Sequence, residues 1–184
     1  MKPYIALLRG INVSGHNKIK MVELKQLFVD LAFKNVITYI QSGNVIFTST
    51  ENSISKIESS IIKAIKMEFG YDLKVLVITK NNLETVFKSN PYLEINAIDI
   101  TKLCVTFLRD IPTLENLPQI EAIVANSEDE FKLFKKSIYL HCPTSFAKTK
   151  LTNNLFERKL KTDATTRNWK TITKLVELSS PAIE

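Results

Sequence analysis

Arg9, Asn12, His16, Asn17 and Lys18 stand together in a short polar stretch between an apolar run, Tyr4 to Leu8, and the first helical pattern. Basic side chains interleaved with amides are the chemistry of anion recognition. Guanidinium and ammonium groups supply charge, while amides and loop N–H groups supply directed hydrogen bonds. Lys20 extends the group towards the helix. A second set, Arg167, Asn168 and Lys170, lies in Thr165-Thr166-Arg167-Asn168-Trp169-Lys170-Thr171. This stretch reads as the threonine-capped opening of the last helix, where cations work against the helix dipole unless an anion offsets them. The two sets together make a candidate site for a phosphate-bearing ligand, a nucleotide or a nucleic acid. Two other readings compete with it. In one, an enzyme clamps a small anionic substrate with Arg9 and Arg167 and uses His16 as acid or base. In the other, the chain is a non-catalytic structural or interaction protein, its asparagines making turn hydrogen bonds and its polar motifs fastening the two halves together.

The charge distribution favours a phosphate-bearing partner. Of a net +6, the segment from Lys148 to Lys174 carries the whole excess, eight basic residues against two acidic ones, and no acidic residue precedes Glu23. Basic clusters of this kind attract phosphate. With 45% hydrophobic and 24% charged residues the composition is that of a folded globular chain. No apolar run approaches membrane-spanning length, so a cytoplasmic protein without membrane contact is expected. Cys104 and Cys142 fall in apolar strand patterns and read as buried free thiols. With only two histidines besides, no metal-ligand spacing exists, and neither metal nor cofactor is expected.

Several familiar site motifs are excluded. Gly10 and Gly15 form neither a dinucleotide fingerprint nor a P-loop, because no Gly-Lys-Ser/Thr opens the following helix. There is no Gly-x-Ser-x-Gly elbow. His141 and Cys142 are adjacent on a strand, so their side chains point to opposite faces and cannot form a thiolate pair. Trp169 reads as packing, and the first and third strands offer only Tyr4 and Phe47 where an RNA-binding sheet would carry a set of stacking aromatics.

The elements that must position these residues follow from periodicity. Residues 3–9 predict a strand, and Met21, Leu24, Leu27, Phe28 and Leu31 predict a helix over 21–32. Val36 to Ile40 and Val45 to Thr48 predict a hairpin around Gln41-Ser42-Gly43-Asn44. Ile54, Ile57, Ile61, Ile65 and Phe69 predict a helix capped at Asn52 or Ser53 and closed at Gly70, before a strand from Lys74 to Thr79. This β-α-β-β-α-β order is that of a ferredoxin-like subdomain over 1–80. Residues 81–100 read as a connector with a short helix ending before Asn90-Pro91.

The second subdomain, 101–184, reads as β-α-β-β-α with helices at about 146–160 and 168–178, the latter an added C-terminal helix. The chain is thus expected to be α+β, two ferredoxin-like βαββαβ-type subdomains with antiparallel sheets and helices on one face. With the first strand read as parallel to the third, Gln41-Ser42-Gly43-Asn44 is expected about 15 to 20 Å from the polar loop, at the other end of the sheet.

Tyr4-Ile5-Ala6-Leu7-Leu8-Arg9-Gly10-Ile11-Asn12-Val13, then Gly15, Asn17, Met21 and Leu24, together with Gln41-Ser42-Gly43-Asn44-Val45 and Ala164-Thr165-Thr166-Arg167-Asn168-Trp169-Lys170-Thr171, resemble a bacterial family known as domain of unknown function 1697. Ser14 departs from the pattern, standing where such sequences often carry a second glycine. The resemblance implies a two-part α+β protein with ferredoxin-like halves and carries no established activity.

Overall fold

In the computed structural model, which describes residues 1–13 and 15–180, the first apolar run is strand β1 (Lys2–Leu8), buried from Tyr4 to Leu8 on both of its faces. A strand covered on both faces can be continuously apolar, which is why this run lacks polar alternation. β1 pairs antiparallel with β3 (Asn44–Ser49) on one side and β4 (Val75–Thr79) on the other. With β2 (Lys34–Tyr39) outside β3, the sheet order is β2-β3-β1-β4.

Helices α1 (Met21–Asp30) and α2 (Ile54–Phe69) cover the face that carries Tyr4, Ala6, Leu8, Val45 and Phe47. Phe47 is the hub, with ring centroids 5.8 Å from Tyr4, 5.3 Å from Phe28 and 4.5 Å from Phe33. The predicted limits of α2 hold for local reasons. Ser53 accepts a hydrogen bond from Lys56 N–H, and Gly70, at φ +75°, donates its N–H to Lys66 C=O. Buried Glu58 accepts from Val77 N–H at 2.8 Å, which satisfies an outward-facing donor on the edge strand β4.

After α3 (Lys80–Lys88) and 3-10 turns at Pro91–Glu94 and Ile100–Lys102, the same order recurs. It consists of β5 (Leu103–Leu108), α4 (Leu117–Val124), β6 (Glu130–Phe134), β7 (Ser137–His141), α5 (Asn153–Leu160) and β8 (Ala164–Asn168), followed by α6 (Trp169–Ser179). The sheet order β6-β7-β5-β8 is that of the first sheet, position for position. The α+β class with two similar ferredoxin-like sheets is therefore the fold of the chain.

Two sequence-based expectations are corrected here. The segment expected to open the last helix, Thr165 to Asn168, is the strand β8, paired antiparallel along β5 from Leu108 to Cys104. Its β-branched threonines favour a strand, and it supplies the sixth element that the second half was expected to lack. The helix expected over 146–160 begins only at Asn153, because Thr152 accepts from Leu155 N–H and fixes the start there.

The described residues divide into two compact units, Met1–Glu84 together with 175–180, and Thr85–Lys174. Among the described residues no helix is long and apolar enough to cross a membrane.

Candidate functional site

β1 does not stop cleanly at Leu8. Leu8 N–H donates to Gly43 C=O at 2.8 Å and Arg9 N–H to Lys74 C=O at 2.9 Å, so sheet-like pairing carries the chain into the polar loop with Arg9 partly buried. Gly10, at φ +74°, then turns the backbone through the left-handed region. Ile11 and Ile19, both buried in the core of this unit, anchor the two ends of the excursion.

Asn12 organises what lies between them. Its own φ of +53° suits an asparagine better than most residues. Its side-chain Nδ2 donates to Ile19 C=O at 2.9 Å and to Gln41 C=O at 3.0 Å, while Oδ1 accepts from Ile19 N–H at 2.9 Å. The amide thus imitates a neighbouring strand for Ile19 and ties the loop to the hairpin turn. Asn17 closes the loop from the other side. It donates through Nδ2 to Gly10 C=O at 2.9 Å, and its carbonyl accepts from Asn12 N–H at 3.2 Å. Val13 and His16 form an isolated bridge at the tip. His16, Lys18 and Lys20 are left exposed, with Lys20 3.1 Å from Glu23.

The turn Gln41-Ser42-Gly43-Asn44 is therefore in contact with the loop after β1 and does not lie at the opposite end of the sheet. A βαβ crossover returns β2 in the direction of β1, and the hairpin makes β3 antiparallel to both. The end of β1 and the β2–β3 turn consequently lie at one end of the sheet. Asn44, fully buried, stiffens that turn by donating to Tyr39 C=O at 3.1 Å and Ser42 Oγ at 2.9 Å.

The second predicted set belongs to the other unit and has a different character. Arg167 is 8% exposed and sits in β8 opposite Val105. Its guanidinium donates to Thr165 Oγ1 at 3.1 Å and Thr166 C=O at 2.9 Å, and burial holds its pKa down to about 10, so it stays charged at neutral pH. The cap of α6 is Asn168, whose Oδ1 accepts from Thr171 N–H at 2.8 Å; it replaces the expected threonine. Lys170 is exposed in the first turn. Trp169, buried, stacks on Phe87 with centroids 5.3 Å apart, in agreement with its reading as packing.

Cys104 and Cys142 are free and buried. Burial pushes their thiols up to about 12 and about 11, which leaves no thiolate for nucleophilic work near neutral pH. Among the described residues no group of three or more potential ligands could hold a metal. Sequence reasoning missed a cleft of about 570 Å³ between α4 and α5, lined in part by Lys150 and Arg158. The available signal is the basic run from Lys148 onward, which reports charge and says nothing of shape.

The family model described as protein of unknown function (DUF1697) matches residues 1–139. Among solved structures, the chain is similar to the conserved bacterial protein SP0830 from Streptococcus pneumoniae, at 25% identity over 97% of this chain and 99% of that one, with a TM-score of 0.72. No curated protein matches the chain.

Proposed function

This chain belongs to the DUF1697 family of proteins of unknown function, and we propose that it binds a phosphate-bearing ligand, a nucleotide or a nucleic acid, at the loop between β1 and α1. The observation that carries the proposal is the double tie of Asn12 to Ile19 and Gln41. It fixes the loop before any ligand arrives, so that His16 and Lys18 stand exposed on a backbone that need not be ordered on binding. Arg9 borders the loop, and no carboxylate side chain occurs in the chain before Glu23. Asn12 and Asn17 act as scaffold in this reading, because their amides serve the loop itself. Arg167 and Asn168 likewise hold β8 and the start of α6, and Lys170 remains the exposed cation of that second set.

The test is a fluorescence anisotropy titration of the full chain with a labelled single-stranded oligonucleotide, competed with pyrophosphate, across a series of salt concentrations. Binding is expected to weaken with salt, and Lys18→Gln is expected to reduce the log–log slope by about 1. Competition by pyrophosphate at a concentration comparable to the oligonucleotide phosphate marks a nucleotide-sized ligand; its failure marks a nucleic acid. Absence of binding to both probes at low salt, or a slope untouched by Lys18→Gln together with His16→Gln, overturns the proposal.

A further inference from the structure

We propose that the cleft between α4 and α5 is a second, separate site, which takes a phosphomonoester of nucleotide size. Its volume, about 570 Å³, lies within the range of small-molecule sites, roughly 300 to 1,000 Å³, and is far from the extended surface a nucleic acid would need. Lys150 precedes α5 and Arg158 projects from it, with Asn154 one turn before Arg158 on the same helical face. Asn126, just beyond α4, faces them across the cleft. Ile123 and Leu155, which pack with the core of this unit, supply an apolar side. Two cations and two amides beside an apolar wall suit a ligand with an anionic head and a less polar body.

The charge balance points the same way. Among the described residues no carboxylate lines the cleft. Two that are close in sequence are turned to other tasks: Asp129 accepts from Thr149 Oγ1 at 2.6 Å, and Glu157 accepts from Ala164 N–H at 3.0 Å. Among the described residues neither Lys150 nor Arg158 has an ion-pair partner. Lys150 also stands ahead of the helix start, where a cation is disfavoured by the dipole and a bound phosphate would offset it. Phosphate is the anion of choice for such a pair, since an ammonium and a guanidinium can divide its oxygens between a point charge and a planar fork.

The experiment is isothermal titration of the full-length protein with three probes: adenosine monophosphate, adenosine and inorganic phosphate. Adenosine monophosphate is expected to bind more tightly than either fragment. Arg158→Gln and Lys150→Gln are each expected to weaken it about tenfold. Because the β1–α1 loop is also proposed to take a nucleotide, the titration is repeated in Lys18→Gln, where the heat that Lys150→Gln and Arg158→Gln remove is expected to remain, which separates failure here from failure at that loop. Both substituted side chains are exposed, so the variants should fold, and an unchanged melting temperature without ligand checks this. The proposal is overturned if adenosine monophosphate shows no heat at millimolar concentration, if the Lys150→Gln, Arg158→Gln double variant binds it as the parent does, or if inorganic phosphate binds equally well.

Discussion

Gly43 and Leu8 are packed so closely that a Cβ placed on the glycine would lie 2.7 Å from the leucine Cβ, with Ile11 Cδ1 at 2.9 Å. Leu8 Cβ is fixed to the backbone of the central strand and cannot swing aside. The glycine also sits at φ +75°, so an alanine there meets both a left-handed backbone and a steric overlap. Gly43→Ala is expected to destabilise the protein by about 2 to 4 kcal/mol. Gly10 shares the positive φ, but a methyl group added to it would have nothing within 4 Å, so Gly10→Ala should lose only about 1 to 2 kcal/mol of conformational origin. Urea denaturation of the two variants measures the difference, with the midpoint moving and the slope constant.

Asn12 braces the same end of the sheet, and its loss should leave an exchange signature. Asn12→Ala removes two donors and one acceptor, leaving the Ile19 N–H and C=O without their partner. A loss of about 2 kcal/mol is expected. The discriminating measurement is amide exchange: Ile19 N–H should lose protection in Asn12→Ala, while Leu8 N–H, bonded to Gly43 C=O, should retain most of its own.

How much of this is legible in the sequence depends on whether the information is local. The limits of α2 can be read from Ser53 and Gly70, because caps and left-handed glycines act over a few residues. The strand Ala164–Asn168 cannot, because Thr-Thr-Arg-Asn before an amphipathic helix has the composition of a cap, and only pairing with β5 makes it a strand. The place of the β2–β3 turn is a matter of topology: one wrong strand direction moves Gln41 away from Asn12, to which it is bonded. Residue types identify the polar loop, but not that its asparagines are occupied internally while His16 and Lys18 stay exposed.

Burial of the two thiols gives stability a pH dependence. Cys104 and Cys142 rise from the ordinary 9.0 to about 12 and about 11. Above pH 9 the unfolded chain releases these protons while the folded chain keeps them. The native state then binds more protons, and stability falls as pH rises. Each thiol contributes a slope of up to about 1.4 kcal/mol per pH unit within that window. Denaturation midpoints measured from pH 8 to 10.5 should fall less steeply in a Cys104→Ala, Cys142→Ala variant than in the parent, and native protein should react with a thiol reagent only as fast as it opens.

Arg167 and Lys170 carry the same charge three residues apart and should differ sharply in their response to truncation. Arg167 is buried and bonded to Thr165 Oγ1 and Thr166 C=O, so Arg167→Ala removes packing and strands polar groups. A loss of about 2 to 3 kcal/mol is expected. Lys170 is exposed, and Lys170→Ala should stay within about 0.5 kcal/mol of the parent. If Arg167→Ala melted like the parent, its assignment as a residue that holds β8 would be wrong.

The hydroxyl relay from β5 through β8 to α5 has a direction that mutation can reveal. Thr166 Oγ1 donates to Asn153 Oδ1 at 2.7 Å, so the hydroxyl proton between Thr106 and Thr166, 2.7 Å apart, must come from Thr106. Thr106 is fully buried. Thr106→Val therefore removes a donor and leaves Thr166 still bonded to Asn153, a loss of about 0.5 to 1 kcal/mol. Thr166→Val leaves the Thr106 hydroxyl buried with its acceptor gone and deprives Asn153 as well, which should cost about 1 to 3 kcal/mol. Once Thr166 is valine, changing Thr106 to valine removes the stranded donor and should restore part of the loss. A double-mutant cycle by urea denaturation reads this coupling directly, and additive single effects would mean that the two hydroxyls do not share a proton in the order the geometry requires.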